Sequence, residues 1–417
     1  MIVLRGGIVV TADGLMKADL GIEGDLIAGI GEIGGEAQEI DATGCFIGPG
    51  FVDIHVHFRE PGQTWKEDIG TGSRAAAVGG FTAVVPMANT EPATDSVDLV
   101  RAMAAIGRQV GLVDVIPAAA LTLGRNGETV SPIEALWDAG VRLFSDDGDS
   151  VADPRVLTEA MERVAAVGGV VAQHAEDATM TADGHMHEGS VSRRLGIGGL
   201  PAAAEEEVVA RDLELATRTG VRYHAQHAST AGTVNLIRSA KPAMPNLTAE
   251  AAPHHFSLDH EQVIEGGTVM KMYPPLRTQD DVAAVAGAVL DGTIDAVATD
   301  HAPHSAAEKA VVFQEAPRGI IGLETSAPIS WSILNDDVSA FFDRMSIAPA
   351  RIAGLDGHGR WPSIGGPANV VVFDPHESWT PSRFESKSQN SPWVGRRLHG
   401  SPRATIYRGE LTHERAR

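Results

Sequence analysis

The chain has 417 residues and a formal net charge of −22, from 33 Lys and Arg against 55 Asp and Glu. This acidic balance argues against a protein that binds nucleic-acid phosphates. The single cysteine excludes a disulfide framework, an iron–sulfur cluster and a cysteine-rich zinc module, while the 16 histidines need an explanation. The N-terminal segment is too short and too rich in glycine for a signal peptide. No apolar run reaches the roughly 20 residues of a membrane helix, so we predict a cytoplasmic protein.

The sequence pattern at both ends of the chain is typical of β-strands. Residues 2–49 hold short apolar runs that Gly and Asp interrupt, and similar runs recur at residues 367–374 and 404–410. We predict that residues 1–49 and 363–417 together form a small β-sandwich domain.

Residues 50–362 have a different pattern, in which short apolar strands alternate with longer, alanine-rich helical stretches. The alternation recurs about eight times, which predicts an α/β fold built as a (β/α)8 TIM-like barrel. Active sites of such barrels lie at the carboxyl ends of the strands. The polar residues that directly follow each apolar run are therefore the candidates for function.

Imidazole and carboxylate groups follow five of the predicted strands. The six groups are those of His55, His57, Asp147, His174, His227 and Asp300. His55 and His57 end the first strand, and their alternate spacing puts both imidazoles on one face. Nitrogen and oxygen ligands without thiolate suit Zn²⁺, and suit Mn²⁺, Co²⁺ and Fe²⁺ less well. Six such ligands suffice for two divalent ions that share a bridging carboxylate, and a hydroxide between the ions would be the nucleophile.

Each candidate ligand also has a purely structural interpretation. His174 fits a hydrogen-bonded core histidine, Asp147 lies in a turn sequence, and Asp300 fits the cap of a following helix. The coincidence of all six groups at the strand ends of one barrel favours the metal site.

The other histidines carry weaker signals. His254 and His255 follow the seventh strand and are candidates to support the ligands. His224 has an odd spacing from His227, which puts it on the opposite face of its strand. Seven more lie in polar or loop contexts and are predicted to be at the surface, namely His185, His187, His260, His358, His376, His399 and His413.

Several segments resemble a known family. They are residues 53–62 (DIHVHFREPG), 87–90 (MANT), 145–148 (SDDG), 298–304 (ATDHAPH) and 320–325 (IIGLET). In order and in spacing they resemble the amidohydrolase superfamily, and more narrowly its type I bacterial dihydroorotases. The resemblance extends over nearly the whole chain.

The resemblance implies a role for each candidate residue. One zinc ion would be held by His55, His57 and Asp300, a second by His174 and His227, with Asp147 shared between them. Asp300 would also be the catalytic proton shuttle. The substrate would contact Arg59, Asn89 and His304 through its carboxylate, and Arg318 and Gly319 through its pyrimidine ring.

The resemblance also implies a reaction and partners. The reaction would be the reversible cyclisation of N-carbamoyl-L-aspartate to (S)-dihydroorotate in de novo pyrimidine biosynthesis, with one or two Zn²⁺ per chain. Besides this small-molecule substrate, it implies a homo-oligomer and an association with aspartate carbamoyltransferase.

The lysine positions distinguish branches of the superfamily. Hydantoinases, dihydropyrimidinases and allantoinases typically bridge their metals with a carboxylated lysine after the fourth strand. Here no lysine lies between residues 67 and 240. Asp147 is therefore the candidate bridge, as in the type I dihydroorotases.

Tyr273 departs from the family pattern. The family usually reads Asn-Pro-Pro-Leu-Arg after the seventh strand, where this chain has Tyr273 before Pro274. A phenol cannot reproduce the paired donor and acceptor of a carboxamide. Its hydroxyl could replace one hydrogen bond to the substrate, or the side chain could point away. Two alternatives stay open: a hydantoinase-like enzyme with an altered substrate, and a non-catalytic scaffold for aspartate carbamoyltransferase.

Overall fold

The structure is a computed structural model and describes residues 1–415. Its strands are β1 (Ile2–Thr11), β2 (Gly14–Glu23), β3 (Leu26–Gly31), β4 (Gln38–Asp41), β5 (Phe46–Pro49), β6 (Phe51–Val56), β7 (Phe81–Pro86), β8 (Asp114–Val115), β9 (Leu143–Phe144), β10 (Val170–Gln173), β11 (Met186–His187), β12 (Gly199–Leu200), β13 (Arg222–Ala225), β14 (Leu247–Ala251), β15 (Ala296–Val297), β16 (Val370–Trp379), β17 (Leu398–Tyr407) and β18 (Glu410–Glu414).

The helices alternate with the central strands. They are α1 (Ile69–Val78), α2 (Val97–Val110), α3 (Ile133–Asp138), α4 (Pro154–Val167), α5 (Ala178–Thr181), α6 (Ser190–Leu195), α7 (Ala203–Thr219), α8 (Ala231–Ala240), α9 (Val263–Gly266), α10 (Gln279–Asp291), α11 (Ala306–Lys309), α12 (Leu323–Leu334), α13 (Val338–Phe342) and α14 (Ala348–Ala353). None of the helices within residues 1–415 is both long and apolar enough to cross a membrane.

Local sequence signals fix the ends of several helices. Asp68 accepts a hydrogen bond from the backbone of Thr71 at the start of α1, and the Thr71 hydroxyl bonds back to the backbone of Asp68. Thr278 and Asp281 form the same reciprocal pair at the start of α10. Gly111 ends α2 in the left-handed conformation, with φ of 69°, which glycine adopts without steric cost.

Eight parallel strands surround the middle of the molecule. β6, β7 and β8 pair in one sheet, and β9, β10, β13, β14 and β15 pair in that order in another. Bridges connect the sheets on both sides, from Ala119 to Phe144 and from Val56 to His301. The pairings therefore form a closed circuit. Every residue of β6, β7 and β10 is buried, as expected of parallel strands covered on both faces.

Strands from both ends of the chain share one further sheet. Its order is β18-β17-β16-β5-β1-β2-β3, and β4 pairs with β1. β16 connects the two ends, because it pairs antiparallel with β5 on one side and with β17 on the other. Leu4, Leu20, Ile47 and Val370 belong to the separate apolar core of this sheet. The predicted β-texture of both ends is thus confirmed, while the division at residues 49 and 362 stays a prediction.

A cluster of aromatic rings connects the terminal sheet to the parallel strands. The ring of Phe341 lies 5.5 Å from that of Phe51 on β6 and 4.9 Å from that of Phe373 on β16. Trp331 on α12 packs edge-on against Phe341 at 5.2 Å. Aromatic pairs at these separations stabilise a fold beyond the area that they bury.

We predict that Phe341→Ala lowers the free energy of unfolding by about 3–5 kcal/mol, because it leaves a cavity between two packed layers. Equilibrium urea unfolding measures the loss. Phe313→Ala is the matched control, since Phe313 is only partly buried, and its loss should be clearly smaller. Equal losses would show that the aromatic cluster does not connect the layers as described.

Candidate active site

The structure brings all six predicted ligands together at the carboxyl ends of the parallel strands. His55 lies in β6, and the other five follow the ends of their strands within a few residues: His57 after β6, Asp147 after β9, His174 after β10, His227 after β13 and Asp300 after β15. All six side chains are buried. The strand-end positions place them at one edge of the circuit.

Asp147 lies between two groups of possible metal ligands. One group is His55, His57 and Asp147, and the other is Asp147, His174 and His227; within each group the ligand atoms lie within 4.8 Å of one another. Oδ1 of Asp147 is 3.2 Å from Nε2 of His55 and 3.5 Å from Nε2 of His227. The Asp147 carboxylate therefore lies between the two groups, at the position that a ligand shared by both would occupy.

Asp300 adds a second carboxylate to the first group. Its Oδ1 lies 2.9 Å from Nε2 of His57 and 3.7 Å from Nε2 of His55. That Nε2 of His55 is buried without a hydrogen-bond partner among residues 1–415, as expected of a nitrogen that binds a metal. Imidazole nitrogens and carboxylate oxygens without sulfur suit a divalent transition metal. The residues present fit such an ion.

Glu250 was not predicted from the sequence, yet it orients the ligands. This buried carboxylate on β14 lies 2.6 Å from Nδ1 of His55 and 3.0 Å from Nε2 of His224. A carboxylate that accepts from Nδ1 fixes the tautomer, so that Nε2 of His55 is free to bind a metal. His224, whose spacing placed it on the opposite face of its strand, lies against the same carboxylate that holds His55.

Asn89 contacts the ligands from the opposite side. Its carboxamide oxygen lies 2.8 Å from Nδ1 of His57, and its amide nitrogen donates to Oδ2 of Asp147 at 3.1 Å. Both ends of this predicted substrate-binding side chain thus contact candidate metal ligands. Asn89 also lines the adjoining cavity.

The buried carboxylates are held in their ionised form. Burial raises the pKa of Asp147 most strongly, but the charge of His55 and hydrogen bonds from the surrounding histidines hold it well below its usual range. Burial also raises the pKa of Asp300, but the hydrogen bond with His57 and the charges of His55 and His57 outweigh it, so the pKa is lowered. For Glu250, His55 and His224 outweigh burial and lower the pKa to about 2. The site therefore presents three negative charges at neutral pH.

Backbone strain is concentrated at the same place. Five non-glycine residues within residues 1–415 have positive φ, and three of them are predicted site residues: Arg59 at 59°, His227 at 29° and Asp300 at 47°. Such conformations cost free energy and persist where the surrounding structure enforces them, commonly at functional sites.

A cavity of about 130 Å³ adjoins the candidate ligands and holds all the predicted substrate contacts. Its lining includes Arg59, Asn89, Tyr273, His304, Arg318 and Gly319. Arg59 donates to the backbone carbonyl of Pro303 at 3.3 Å, and its guanidinium lies 3.4 Å from Nε2 of His304. Burial lowers the pKa of Arg59 to about 10, so the guanidinium stays positively charged at neutral pH. The cavity thus offers a cation to an acidic ligand.

Two buried lysines, which the sequence did not single out, fix one wall of this cavity. Lys309 donates to the carbonyls of Lys271 and Pro317 at 3.1 and 2.7 Å. Lys271 in turn donates to the carbonyls of residues 313 and 314 at 2.7 and 3.0 Å. From the C-terminal part of the chain, Asn390 donates to the carbonyl of Gly319 at 3.1 Å. These contacts hold the segment that carries the cavity wall.

Three histidines predicted at the surface are buried instead. The rings of His187 and His260 pack edge-on 5.0 Å apart, and each residue has 7% of its surface exposed. His358 is buried between Thr82 and Asp114, at 3.0 and 2.8 Å. The prediction was wrong for these three because their partners are distant in sequence.

Comparisons with known proteins show which family the chain belongs to. A family model described as Dihydro-orotase-like matches residues 44–233. The dihydroorotase of Pelobacter propionicus is 41% identical over 100% of both chains, and that of Mycobacterium leprae is 43% identical over 99% of this chain and 98% of its own. Among solved structures, the L-hydantoinase of Arthrobacter aurescens has a TM-score of 0.89 at 25% identity, over 100% of this chain and 96% of its own.

A second solved structure, the dihydropyrimidinase of Brevibacillus agri, has a TM-score of 0.83 at 23% identity over 99% of this chain and 95% of its own, which shows a shared fold. This fold and the buried histidine–aspartate site define an amidohydrolase. The full-length similarity then settles the branch, and the chain belongs to the dihydroorotase family.

We predict that Glu250→Gln weakens metal binding about 10–100-fold, since a neutral amide no longer fixes His55 for coordination. Competition with a chromophoric chelator measures the dissociation constant. Glu324→Gln is the matched control: this carboxyl is also buried but accepts from the backbone of Ser386. A metal affinity unchanged in Glu250→Gln, or lowered equally in both variants, would contradict the role of Glu250.

Proposed function

We propose that the protein is a zinc-dependent dihydroorotase, which catalyses the reversible cyclisation of N-carbamoyl-L-aspartate to (S)-dihydroorotate in de novo pyrimidine biosynthesis. The observation that carries this proposal is the juxtaposition of the half-buried guanidinium of Arg59 with the histidine–aspartate groups in one cavity. The full-length dihydroorotase relatives support the same activity. We further propose that the eight parallel strands are a (β/α)8 barrel, and that residues 1–49 and 363–415 form its β-sandwich domain. Residues 416–417 of the predicted segment lie outside the part of the chain that the structure describes.

We propose one or two Zn²⁺ ions per chain, held by His55, His57, Asp147, His174, His227 and Asp300. When bound, zinc supplies a Lewis acid that polarises the amide carbonyl and activates the attacking water. Asp147 is the proposed bridge, because its two oxygens lie near histidines of both groups.

Asp300 is the proposed catalytic proton shuttle. Its lowered pKa leaves it an ionised base, and it lines the cavity beside His57. In ring opening, a carboxylate oxygen of Asp300 takes a proton from the attacking water. It then gives the proton to the ring nitrogen as the C–N bond breaks. In ring closure, the same oxygen takes the proton from the ureido nitrogen and gives it to the leaving hydroxide, which departs as water.

The cations of the cavity are the proposed substrate-binding groups. Arg59 can form a bidentate pair with a carboxylate, which gives both charge and orientation. His304 donates from Nε2 to the carbonyl of Arg318 at 2.8 Å, and so connects Arg59 to the pyrimidine-binding segment at Arg318 and Gly319. Asn89 orients His57 and Asp147, and through these two side chains it affects how the substrate is held.

The relatives favour this activity over the hydantoinase-like and scaffold alternatives. The hydantoinase neighbours share the fold at 22–25% identity, whereas the dihydroorotases are 41–44% identical. A scaffold without catalysis needs no complete ligand set, yet all six candidate ligands lie together here. A homo-oligomer and a contact with aspartate carbamoyltransferase stay predictions.

Substrate turnover tests the proposed activity. We expect the zinc-loaded protein to hydrolyse dihydroorotate at alkaline pH and to form it from N-carbamoyl-L-aspartate in mildly acid solution, as ultraviolet absorbance records. Unsubstituted hydantoin should be a much poorer substrate, because it lacks a carboxylate for Arg59. Turnover of hydantoin without turnover of dihydroorotate would contradict the proposal, and so would the absence of both.

Two substitutions separate chemistry from binding. We predict that Asp300→Asn lowers kcat about 10²–10⁴-fold, since the proton shuttle is lost. Arg59→Ala should mainly raise KM, by about 10–100-fold, because a charge-assisted hydrogen bond contributes about 1.5–3 kcal/mol. Steady-state kinetics measure both, with Arg101→Ala on the exposed face of α2 as control. Comparable, modest losses in the two site variants would mean that the roles are misassigned.

A further inference from the structure

Tyr273 separates the substrate cavity from a second, larger cavity. The first has a volume of about 130 Å³ and the second about 340 Å³. Three residues line both and therefore form the partition: Gly148, His174 and Tyr273. His174 is a candidate metal ligand and Gly148 has no side chain. Tyr273 is thus the member of the partition whose side chain can set the size of the substrate cavity without itself being a candidate metal ligand.

The phenol ring of Tyr273 is fixed from three sides. Its hydroxyl donates to the carboxylate of Glu176. The guanidinium of Arg318 lies 3.9 Å from the centre of the ring, a cation–π contact. The ring of His174 packs 4.6 Å away at an angle of 44°. These contacts hold the ring as a rigid wall.

The hydroxyl of Tyr273 is directed at Glu176, which lines the second cavity and not the first. The same oxygen of Glu176 also accepts from the hydroxyl of Thr181 at 2.6 Å. The hydroxyl proton of Tyr273 is therefore used in the hydrogen bond to Glu176 and is not donated to the substrate. What Tyr273 presents to the substrate cavity is the side of its ring, a steric surface.

The two cavities differ in charge. Arg59 and Arg318 line the substrate cavity beside the metal-site carboxylates Asp147 and Asp300. The second cavity is lined by Asp149, Glu176 and Asp177 together with Arg211 and apolar Val208. A bound metal neutralises Asp147 and Asp300 and leaves the two arginines to attract an acidic group, whereas the three carboxylates of the second cavity outnumber its one arginine and repel such a group. A neutral, apolar group is the substituent that the second cavity can accept.

We propose that Tyr273 is a specificity-determining residue that closes the substrate cavity and restricts the enzyme to cyclic ureides with no bulky substituent. This inference rests on the proposed function and extends it. The ring excludes larger cyclic ureides sterically, and the second cavity is the space that such substituents would occupy in its absence. Glu176 and Arg318 are the groups that hold the ring in its closing position.

The test uses Tyr273→Ala with 5-benzylhydantoin, a cyclic ureide with a large neutral substituent. Without the ring, the two cavities join, and the kcat/KM for 5-benzylhydantoin should rise at least about 10-fold over the unsubstituted enzyme, a scale typical of opening an apolar pocket. Its dissociation constant, measured by calorimetry on zinc-loaded protein, should fall in parallel. Turnover of dihydroorotate should decrease, because Arg318 loses the ring against which it packs.

Two variants serve as controls. Tyr273→Phe keeps the ring and removes the bond to Glu176, so it should gain no activity on 5-benzylhydantoin. Val208→Ala enlarges the second cavity and leaves the partition in place, since Val208 lines the second cavity alone. Val208→Ala should therefore also gain no activity on 5-benzylhydantoin.

The proposal is overturned if folded, zinc-loaded Tyr273→Ala binds 5-benzylhydantoin no more tightly than the unsubstituted enzyme. It is also overturned if Tyr273→Phe loses turnover of dihydroorotate as severely as Tyr273→Ala, because the hydroxyl would then contact the substrate. Failure of the proposed function has a different signature, in which the unsubstituted enzyme does not turn over dihydroorotate. The calorimetric comparison still decides the role of Tyr273 in that case.

Discussion

The buried carboxylate of Asp147 is the constraint on which the rest of the site depends. It lies within 3.7 Å of four imidazoles and shares its surroundings with Asp300 and Glu250. An anion removed from water is stable only when opposite charge or hydrogen bonds compensate for lost solvation. Histidines bind a metal in their neutral form, so in the metal-bound site a cation has to balance the three carboxylates. The site is therefore built to be completed by a metal.

The fold meets this constraint by gathering strand ends from distant parts of the sequence. Glu250 and Asn89 then orient the histidines from opposite sides. The terminal sheet is packed against the parallel strands through aromatic rings, and Asn390 reaches from the C-terminal part of the chain to the cavity wall. The same arrangement leaves a positive cavity beside the metal site, and Tyr273 limits its size.

The sequence predicted those features that short-range patterns encode. Alternating apolar runs indicated the parallel strands, and polar residues directly after them indicated all six candidate ligands. The features that it missed depend on long-range contacts. Glu250 lies within an apolar strand and is paired with His55, which is 195 residues away in the sequence. No local pattern distinguishes it from a carboxylate that is exposed at the end of a strand. The direction of Tyr273 likewise depends on Glu176, 97 residues earlier.

The most direct test of the account is to titrate chelator-treated, metal-free protein with Zn²⁺ and to record bound zinc and dihydroorotate turnover together. We expect no turnover without metal, and a recovery that follows the zinc bound per chain and saturates when the two ligand groups that share Asp147 are filled. A metal-free protein that turns over dihydroorotate at the full rate would contradict the account, and so would one that binds zinc in this cluster and stays inactive.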